Sequence, residues 1–226
     1  MKKRLHGPPG ISRQPAVNKL GRPLEEIALD FIPQFASDDC LVVNVAGLLA
    51  EYGKRKGLDL GLPRERIKEI CGYTGGFGSQ STRIAPNLGI HLRNLRLGDY
   101  VDARESQGDQ SSLARLRKIV PDEATSFPIV SLNKDYWSVQ GHAKVKPKGE
   151  MEHTVIVLSV TDDEVAFFDP FQRQRAVESG AAIHRMPTTK FTSLWANDCL
   201  ASKWILWLVE RAKLSTLMAY QEGSNG

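Results

Sequence analysis

The chain has few cysteines and no long apolar run. It holds three cysteines, Cys40, Cys71 and Cys199, among 226 residues, and this odd number argues against a disulfide framework and for reduced thiols. No stretch approaches the roughly 20 consecutive apolar residues of a membrane span, and no apolar segment follows the basic start MKKR, as a classical export signal requires. We therefore expect a cytoplasmic protein without a membrane span, with secretion by another route left open.

Acidic residues are absent from the first 24 positions, which hold six basic ones: Lys2, Lys3, Arg4, Arg13, Lys19 and Arg22. Because the formal net charge of the whole chain is +4, the rest of the chain is slightly acidic, and the high pI argues only weakly for nucleic-acid binding. We predict a flexible basic arm at 1–24, one domain at 25–215 and a flexible tail at 216–226. Nothing in the sequence indicates an oligomeric state.

A nearly unbroken apolar segment, LVVNVAGLLA, begins directly after Cys40. Its valines favour a strand, but its length and its flanking residues favour a helix from about Ser37 to Tyr52. Asp38 or Asp39 would cap this helix and Gly53 would end it. Apolar residues on nearly every face predict that the helix is buried all round.

The predicted secondary structure changes from helices to strands near the middle of the chain. Further helices are predicted at 63–73 and 111–121, and strands at 127–133, 136–147, 152–160 and 164–170. The segment 188–197 forms a further element, and 201–212 is a final strand or helix. Helices first and an antiparallel sheet second predict an α+β fold, with a cleft between the two parts as the natural active site.

Four residues in this order satisfy the needs of a thiol nucleophile. Cys40, in the first turn of the buried helix, has the helix dipole to favour its thiolate. His153 begins an apolar strand and supplies a base, Asp169 ends the next strand and orients that base, and the Gln34 amide lies close enough in sequence to donate to an oxyanion.

Side chains alternate between the two faces of a strand, so the loop length of the hairpin determines whether His153 and Asp169 lie on the same face. If TDD, the three residues before Glu164, forms the loop, Val160 faces Glu164 and Val155 faces Asp169. His153 then shares a face with Asp169, one diagonal away and within side-chain reach. A two-residue loop would send the two side chains to opposite faces. The pairing therefore predicts an odd-length loop or a bulge.

These residues resemble a known family. Gln34 and Cys40 in the pattern Q-x5-C, followed by HTVIVLSVTDDEVAFFDP, look like the papain-like cysteine peptidases that process double-glycine leaders for bacteriocin exporters, and like their stand-alone relatives. FPIVSL and TTKFTSLW resemble further segments of that family. The resemblance covers roughly 31–197 and implies a papain-like fold, with an N-terminal helical lobe whose central Cys-bearing helix packs on a C-terminal antiparallel sheet.

The resemblance also implies roles. The glutamine supplies the oxyanion hole, the cysteine attacks, the histidine is the base and the aspartate of the Asp-Pro pair orients it; by position these roles fall on Gln34, Cys40, His153 and Asp169. No cofactor and no metal site are implied, and the expected partner is a peptide or protein substrate. Asn44, a polar residue one turn after Cys40, receives no role.

Two other functions remain open. The same acyl-enzyme can pass to an amine instead of water, as in transglutaminase-like enzymes. The chain can also be a catalytically silent papain-like domain that binds peptides or proteins. Leu41 and Val42 motivate this last reading, because they stand where the family has glycine and a small residue.

Overall fold

A computed structural model shows an α+β fold of helices and one antiparallel sheet. It describes residues 20–31, 33, 39–74, 83–120, 124–139, 152–172, 174–196 and 203–211. The helices are α1 Leu24–Ala28, α2 Cys40–Lys56, α3 Arg64–Ile70, α4 Ile84–Asn94, α5 Leu113–Ile119, α6 Tyr136–Val139, α7 Gln174–Glu178 and α8 Thr188–Ala196. The strands are β1 Val101–Ser106, β2 Ile129–Leu132, β3 His153–Val160, β4 Glu164–Phe168, β5 Ile183–Pro187 and β6 Ile205–Glu210.

The six strands lie in the order β1-β6-β2-β3-β4-β5, and every neighbouring pair is antiparallel. Strand β3 is central and its first six residues are buried, which explains its almost continuous apolar sequence. The outer strands β1 and β5 carry mostly polar or half-buried residues, as expected of strands at a sheet edge.

Hydrophobic clusters cover both faces of the sheet. On one face, helix α2 packs against Ile156 and Leu158 of β3 and Phe168 of β4. On the other face, α5, α6 and α8 pack against Val155 and Val157. The prediction that a Cys-bearing helix packs on an antiparallel sheet is confirmed, and the sheet has helices on its second face as well.

Helix α2 is longer than predicted and ends differently. Gly53 lies inside it, and Gly57 ends it with a left-handed φ of 64°, a conformation that glycine adopts without strain. Asp39 is the residue before the helix, but its side chain makes no capping hydrogen bond; it pairs with Arg64 instead. Asp38 lies outside the described residues.

Several other boundaries needed correction. Residues 136–139 are helical where a strand was predicted at 136–147, and 140–147 lie outside the described residues. The ambiguous segment near 201–212 contains strand β6. Strands β1 and β5 and helix α4 were not predicted. Residues 1–19 and 212–226 lie outside the described residues, so the arm and the tail stay predictions. None of the helices described is long and apolar enough to cross a membrane.

Gly53 and Gly89 should respond in opposite ways to alanine. A Cβ at Gly53 would lie 2.6 Å from the Leu58 carbonyl oxygen, so Gly53→Ala forces a backbone shift and should lower the free energy of unfolding by about 1–3 kcal/mol. At Gly89 of α4 the nearest atom would lie 3.7 Å away, on Arg93, so Gly89→Ala should raise it by about 0.5–1 kcal/mol. Urea denaturation measures both, and equal effects would contradict the packing described for α2.

Candidate active site

Cys40 is the first residue of the 17-residue helix α2. Its side chain is half-buried and hydrogen-bonded to His153. The first N–H groups of a helix have no partner within the helix, and their dipoles favour a negative charge at this end. The fold therefore places the thiol where a thiolate is stabilised.

His153 and Asp169 form a buried hydrogen-bonded pair. The Nε2 of His153 lies 2.6 Å from Oδ1 of Asp169, and neither side chain is more than 1% exposed. Because Nε2 is engaged by the carboxylate, Nδ1 is left for the Cys40 sulfur. The residues predicted as nucleophile, base and orienting carboxylate are thus in hydrogen-bonded series.

The strand register explains how His153 and Asp169 meet. Val160 pairs with Val165, not with Glu164 as a three-residue loop would require. A bulge between Val157 and Ser159 then shifts the register, so that Ile156 pairs with Phe168. The next position brings Val155 opposite Asp169. The predicted loop length was wrong, but the alternative prediction of a bulge is confirmed.

Asp169 has two more hydrogen-bond donors. The Tyr136 hydroxyl donates to its Oδ2 at 2.5 Å, and the Phe171 backbone N–H donates to its Oδ1 at 2.8 Å. His184 lies farther off, with its Nε2 3.9 Å from Oδ2. The carboxylate is therefore held on both oxygens, and its orientation toward His153 is fixed by the Tyr136 hydroxyl and the Phe171 N–H.

Aromatic rings enclose the imidazole of His153. The Tyr136 ring stacks on it at 5.1 Å with an interplanar angle of 20°, and the Trp137 ring lies 4.5 Å away. Phe171 meets it edge-on at 6.4 Å. This apolar enclosure lowers the local dielectric and so strengthens the interaction between His153 and Asp169.

The charges of this cluster reinforce one another. Burial by itself would raise the pKa of the Cys40 thiol, but the hydrogen bond and charge of His153, together with the hydrogen bonds of Thr154, outweigh it, and the pKa is lowered. Burial would lower the pKa of His153, but the charge and hydrogen bond of Asp169 raise it to about 10. Burial would likewise raise the pKa of Asp169, yet its partners, His153 first, hold it well below its usual range. Each of these shifts favours the charged form of its group: the thiolate, the imidazolium and the carboxylate.

Cys71 provides an internal contrast. Its side chain is fully buried at the end of α3, and burial, with the nearby charge of Cys40, raises the pKa of its thiol to about 12. Cys199 lies outside the described residues. The chain thus contains one thiol with a lowered pKa and one with a raised pKa within the same domain.

Asn44 connects the Cys40 helix to the His153 strand. Its Nδ2 donates to the Thr154 carbonyl oxygen at 2.8 Å and to the Thr154 Oγ1 at 3.1 Å. Asn44 lies one turn after Cys40, and Thr154 directly follows His153. These bonds therefore fix α2 against β3 beside the thiol and the imidazole.

Leu41 and Val42 belong to the hydrophobic cluster between α2 and the sheet, with exposures of 8% and 1%. The side chains of Leu41 and Val42 are therefore packed in the hydrophobic core. Gln34, the predicted oxyanion donor, lies outside the described residues, so its position relative to Cys40 stays a prediction.

Sequence reasoning missed five contributors to the cluster: Asn44, Tyr136, Trp137, Thr154 and Phe171. Thr154 had one available signal, since it follows the predicted base. Tyr136 and Trp137 had been assigned to a strand, and no pattern connected them to Asp169 or His153. Asn44 did have a signal, because it interrupts an apolar helix one turn from the cysteine.

Tyr136→Phe should destabilise the protein more than Tyr52→Phe. Both rings are fully buried, but Tyr136 donates to a buried carboxylate at 2.5 Å, whereas Tyr52 donates to the Ala124 carbonyl at 3.3 Å. We expect a loss of about 1.5–3 kcal/mol against about 0.5–1.5 kcal/mol, because bonds to charged groups are the stronger ones. Urea denaturation measures the difference, and a larger loss for Tyr52→Phe would contradict the role given to the Tyr136 hydroxyl.

Comparisons with known proteins found similar solved structures. No family model matches the chain, and no curated protein matches it. Ten chains among the solved structures do.

One of these is the crystal structure of a double glycine motif protease from an AMS/PCAT transporter in complex with the leader peptide. It is 17% identical, with a TM-score of 0.45, and the match covers 80% of this chain and 91% of that chain. Another is a putative C39-like peptidase from Bacillus anthracis, 17% identical with a TM-score of 0.48, covering 80% of this chain and 94% of that one. Both are named as peptidases, or putative peptidases, of the kind that the sequence resembles; likenesses this distant decide neither the reaction nor the substrate.

Proposed function

We propose that this chain is a papain-like cysteine peptidase with Cys40 as nucleophile, His153 as base and Asp169 as the orienting carboxylate. The observation that supports it most is the hydrogen-bonded series from Cys40 through His153 to Asp169 at the N-terminus of a buried helix. This arrangement supplies a thiolate, a proton donor and a fixed tautomer at one point.

The first step is attack by the Cys40 thiolate on a peptide carbonyl carbon. A C–S bond forms, and the carbonyl electron pair moves to oxygen. The Cys40 backbone N–H at the start of α2 can stabilise this oxyanion, and the Gln34 amide is proposed as a second donor on the strength of the resemblance.

The second step expels the amine. The tetrahedral intermediate collapses, the C–N bond breaks, and the imidazolium of His153 gives its proton to the leaving nitrogen. The neutral imidazole then takes a proton from water, which attacks the thioester and releases the acid and the thiolate. Asp169 holds Nε2–H throughout, so that Nδ1 faces the reacting atoms.

The proposed substrate is a peptide or an unfolded segment of a protein. One of the similar structures binds a leader peptide, and we extend this to peptides with a Gly-Gly pair before the scissile bond as the first substrates to test. We further propose that the protein acts in the cytoplasm. Transfer of the acyl group to an amine and silent peptide binding are the alternative outcomes of the same test.

Mass spectrometry of reaction products tests this function. The full chain is incubated with a peptide mixture containing internal Gly-Gly pairs, with and without an added primary amine. Two fragments whose masses sum to the peptide plus water support hydrolysis, and a fragment carrying the amine indicates acyl transfer. Binding without any new product, together with an ordinary thiol at Cys40, would contradict the proposal.

A further inference from the structure

We infer that Thr154 is a second hydrogen-bond donor to the Cys40 sulfur and that Asn44 fixes the direction of its hydroxyl. The inference rests on the proposed function, because it concerns the reactive form of the same thiol. Neither residue belongs to the set of Cys40, His153, Asp169 and Gln34.

Three observations support this inference. Thr154 is 7% exposed and Asn44 is 1% exposed, so their bonds are shielded from water. Asn44 Nδ2 lies 2.8 Å from the Thr154 carbonyl oxygen and 3.1 Å from Thr154 Oγ1. Both the side chain and the backbone of Thr154 are hydrogen-bonded to Cys40.

The orientation of the Asn44 amide follows from its partners. The Thr154 carbonyl oxygen only accepts hydrogen bonds, so the amide nitrogen, and not its oxygen, must face Thr154. The Asn44 Oδ1 is buried and has no hydrogen-bond partner among the residues that the structure describes. Such an orphan acceptor costs about 1–3 kcal/mol, and the two donor bonds on the other side of the amide offset it.

The direction of the Thr154 hydroxyl follows in turn. A hydroxyl has one hydrogen to donate and lone pairs that accept. Because Asn44 Nδ2 donates to Oγ1, that oxygen acts as the acceptor toward α2, and its own hydrogen can turn to the Cys40 sulfur. A thiolate is an acceptor only, so the geometry makes the chain of donors run from Asn44 to Thr154 to Sγ.

The chemical consequence concerns the resting state of the enzyme. The thiolate of a half-buried cysteine has lost water and needs donors in its place. His153 supplies one, and Thr154 supplies its hydroxyl and its peptide N–H. Thr154 is thus in contact with the reacting atom, whereas Asn44 acts through it as a positioning residue.

Alkylation of Cys40 by iodoacetamide as a function of pH tests the inference without a peptide substrate. Thr154→Val keeps the shape and removes the hydroxyl, and it should raise the pH midpoint of the alkylation rate by about one unit, since a hydrogen bond to a charged group is worth about that much. Thr154→Ser keeps the hydroxyl and should restore the wild-type midpoint. A purely structural role would lower thermal stability and leave the midpoint where it is.

The outcomes separate the two proposals. A folded Thr154→Val protein with the wild-type midpoint would overturn the inference, and so would a Thr154→Ser midpoint as high as that of Thr154→Val. If Thr154→Val does not fold, Asn44→Leu combined with Thr154→Val replaces both partners with apolar groups and should show the same upward shift. If the wild-type midpoint is low and the Thr154 variants have the same midpoint, the inference fails and the proposed function stands. If wild-type Cys40 itself titrates as an ordinary thiol, the proposed function fails.

Discussion

Cys40→Ala should abolish peptide hydrolysis, with kcat/KM reduced by about 10⁴-fold or more. In the proposed mechanism the alanine removes the atom that forms the acyl-enzyme, and no nucleophile among the described neighbours replaces it, because His153 and Asp169 are buried and engaged with each other. The measurement is product formation from a cleaved peptide, with far-UV circular dichroism to establish that the variant is folded.

Cys71→Ala is the matched control for this loss. Cys71 is buried and the pKa of its thiol is raised to about 12, so its removal should leave kcat/KM within a few-fold of the wild type. A Cys40→Ala protein that still hydrolyses its peptide at the wild-type rate would contradict the assignment of the nucleophile.

Asp169→Asn should reduce kcat/KM by about 10²–10⁴-fold, with a smaller effect on KM. Burial favours the neutral imidazole, and the charge of Asp169 is the main influence that raises the pKa of His153 to about 10. Asparagine has no charge, so the pKa of His153 should fall and the pKa of Cys40 should rise with the loss of its imidazolium partner. The alkaline limb of the activity profile should therefore move to lower pH, and its acidic limb to higher pH.

Asp163→Asn provides the control on the same hairpin. Asp163 lies exposed in the turn between β3 and β4, away from His153, so its variant should keep the wild-type rate and the wild-type limbs. An Asp169→Asn protein with an unshifted pH profile would show that the carboxylate does not set the protonation state of His153.

Much of the site follows from local pattern because its parts lie in the most apolar elements. Helix α2 and strand β3 are buried on nearly all sides, so hydrophobic continuity identifies them, and Cys40 and His153 stand at their first residues. The alternation of side chains along the hairpin then places His153 and Asp169 on the same face. The loop is not three residues long as predicted, but the bulge near Leu158 has the same effect on the register and keeps the two side chains on one face.

The edge strands could not be predicted in the same way. Strands β1 and β5 close the two sides of the sheet, and each exposes polar residues, so neither shows the alternation of a half-buried strand. Helix α6 was mistaken for a strand because its aromatic and β-branched residues favour one. The turn just before α6 starts this helix. There the Asn133 side-chain oxygen accepts a hydrogen bond from the Asp135 N–H, and the Asn133 carbonyl oxygen accepts one from the Tyr136 N–H.

The supporting contacts of the site depend on tertiary structure. Tyr136 reaches Asp169 across 33 positions of sequence, and Asn44 reaches Thr154 across 110. Periodicity and spacing report only on neighbours along one element, so such partners appear only when the sheet and the helices are assembled. These contacts hold the side chains of the site in place.

The most direct test of the central claim is the rate of Cys40 alkylation as a function of pH in the wild type and in His153→Ala, with the modified cysteine identified by mass spectrometry. In the wild type, Cys40 should titrate below the ordinary thiol value of 9.0 and react far faster than Cys71 at neutral pH. In His153→Ala, burial is opposed by the Thr154 hydrogen bonds alone, and the Cys40 midpoint should rise well above its wild-type value. A wild-type Cys40 that titrates at or above 9.0, or a midpoint unchanged by His153→Ala, would contradict a thiolate–imidazolium pair.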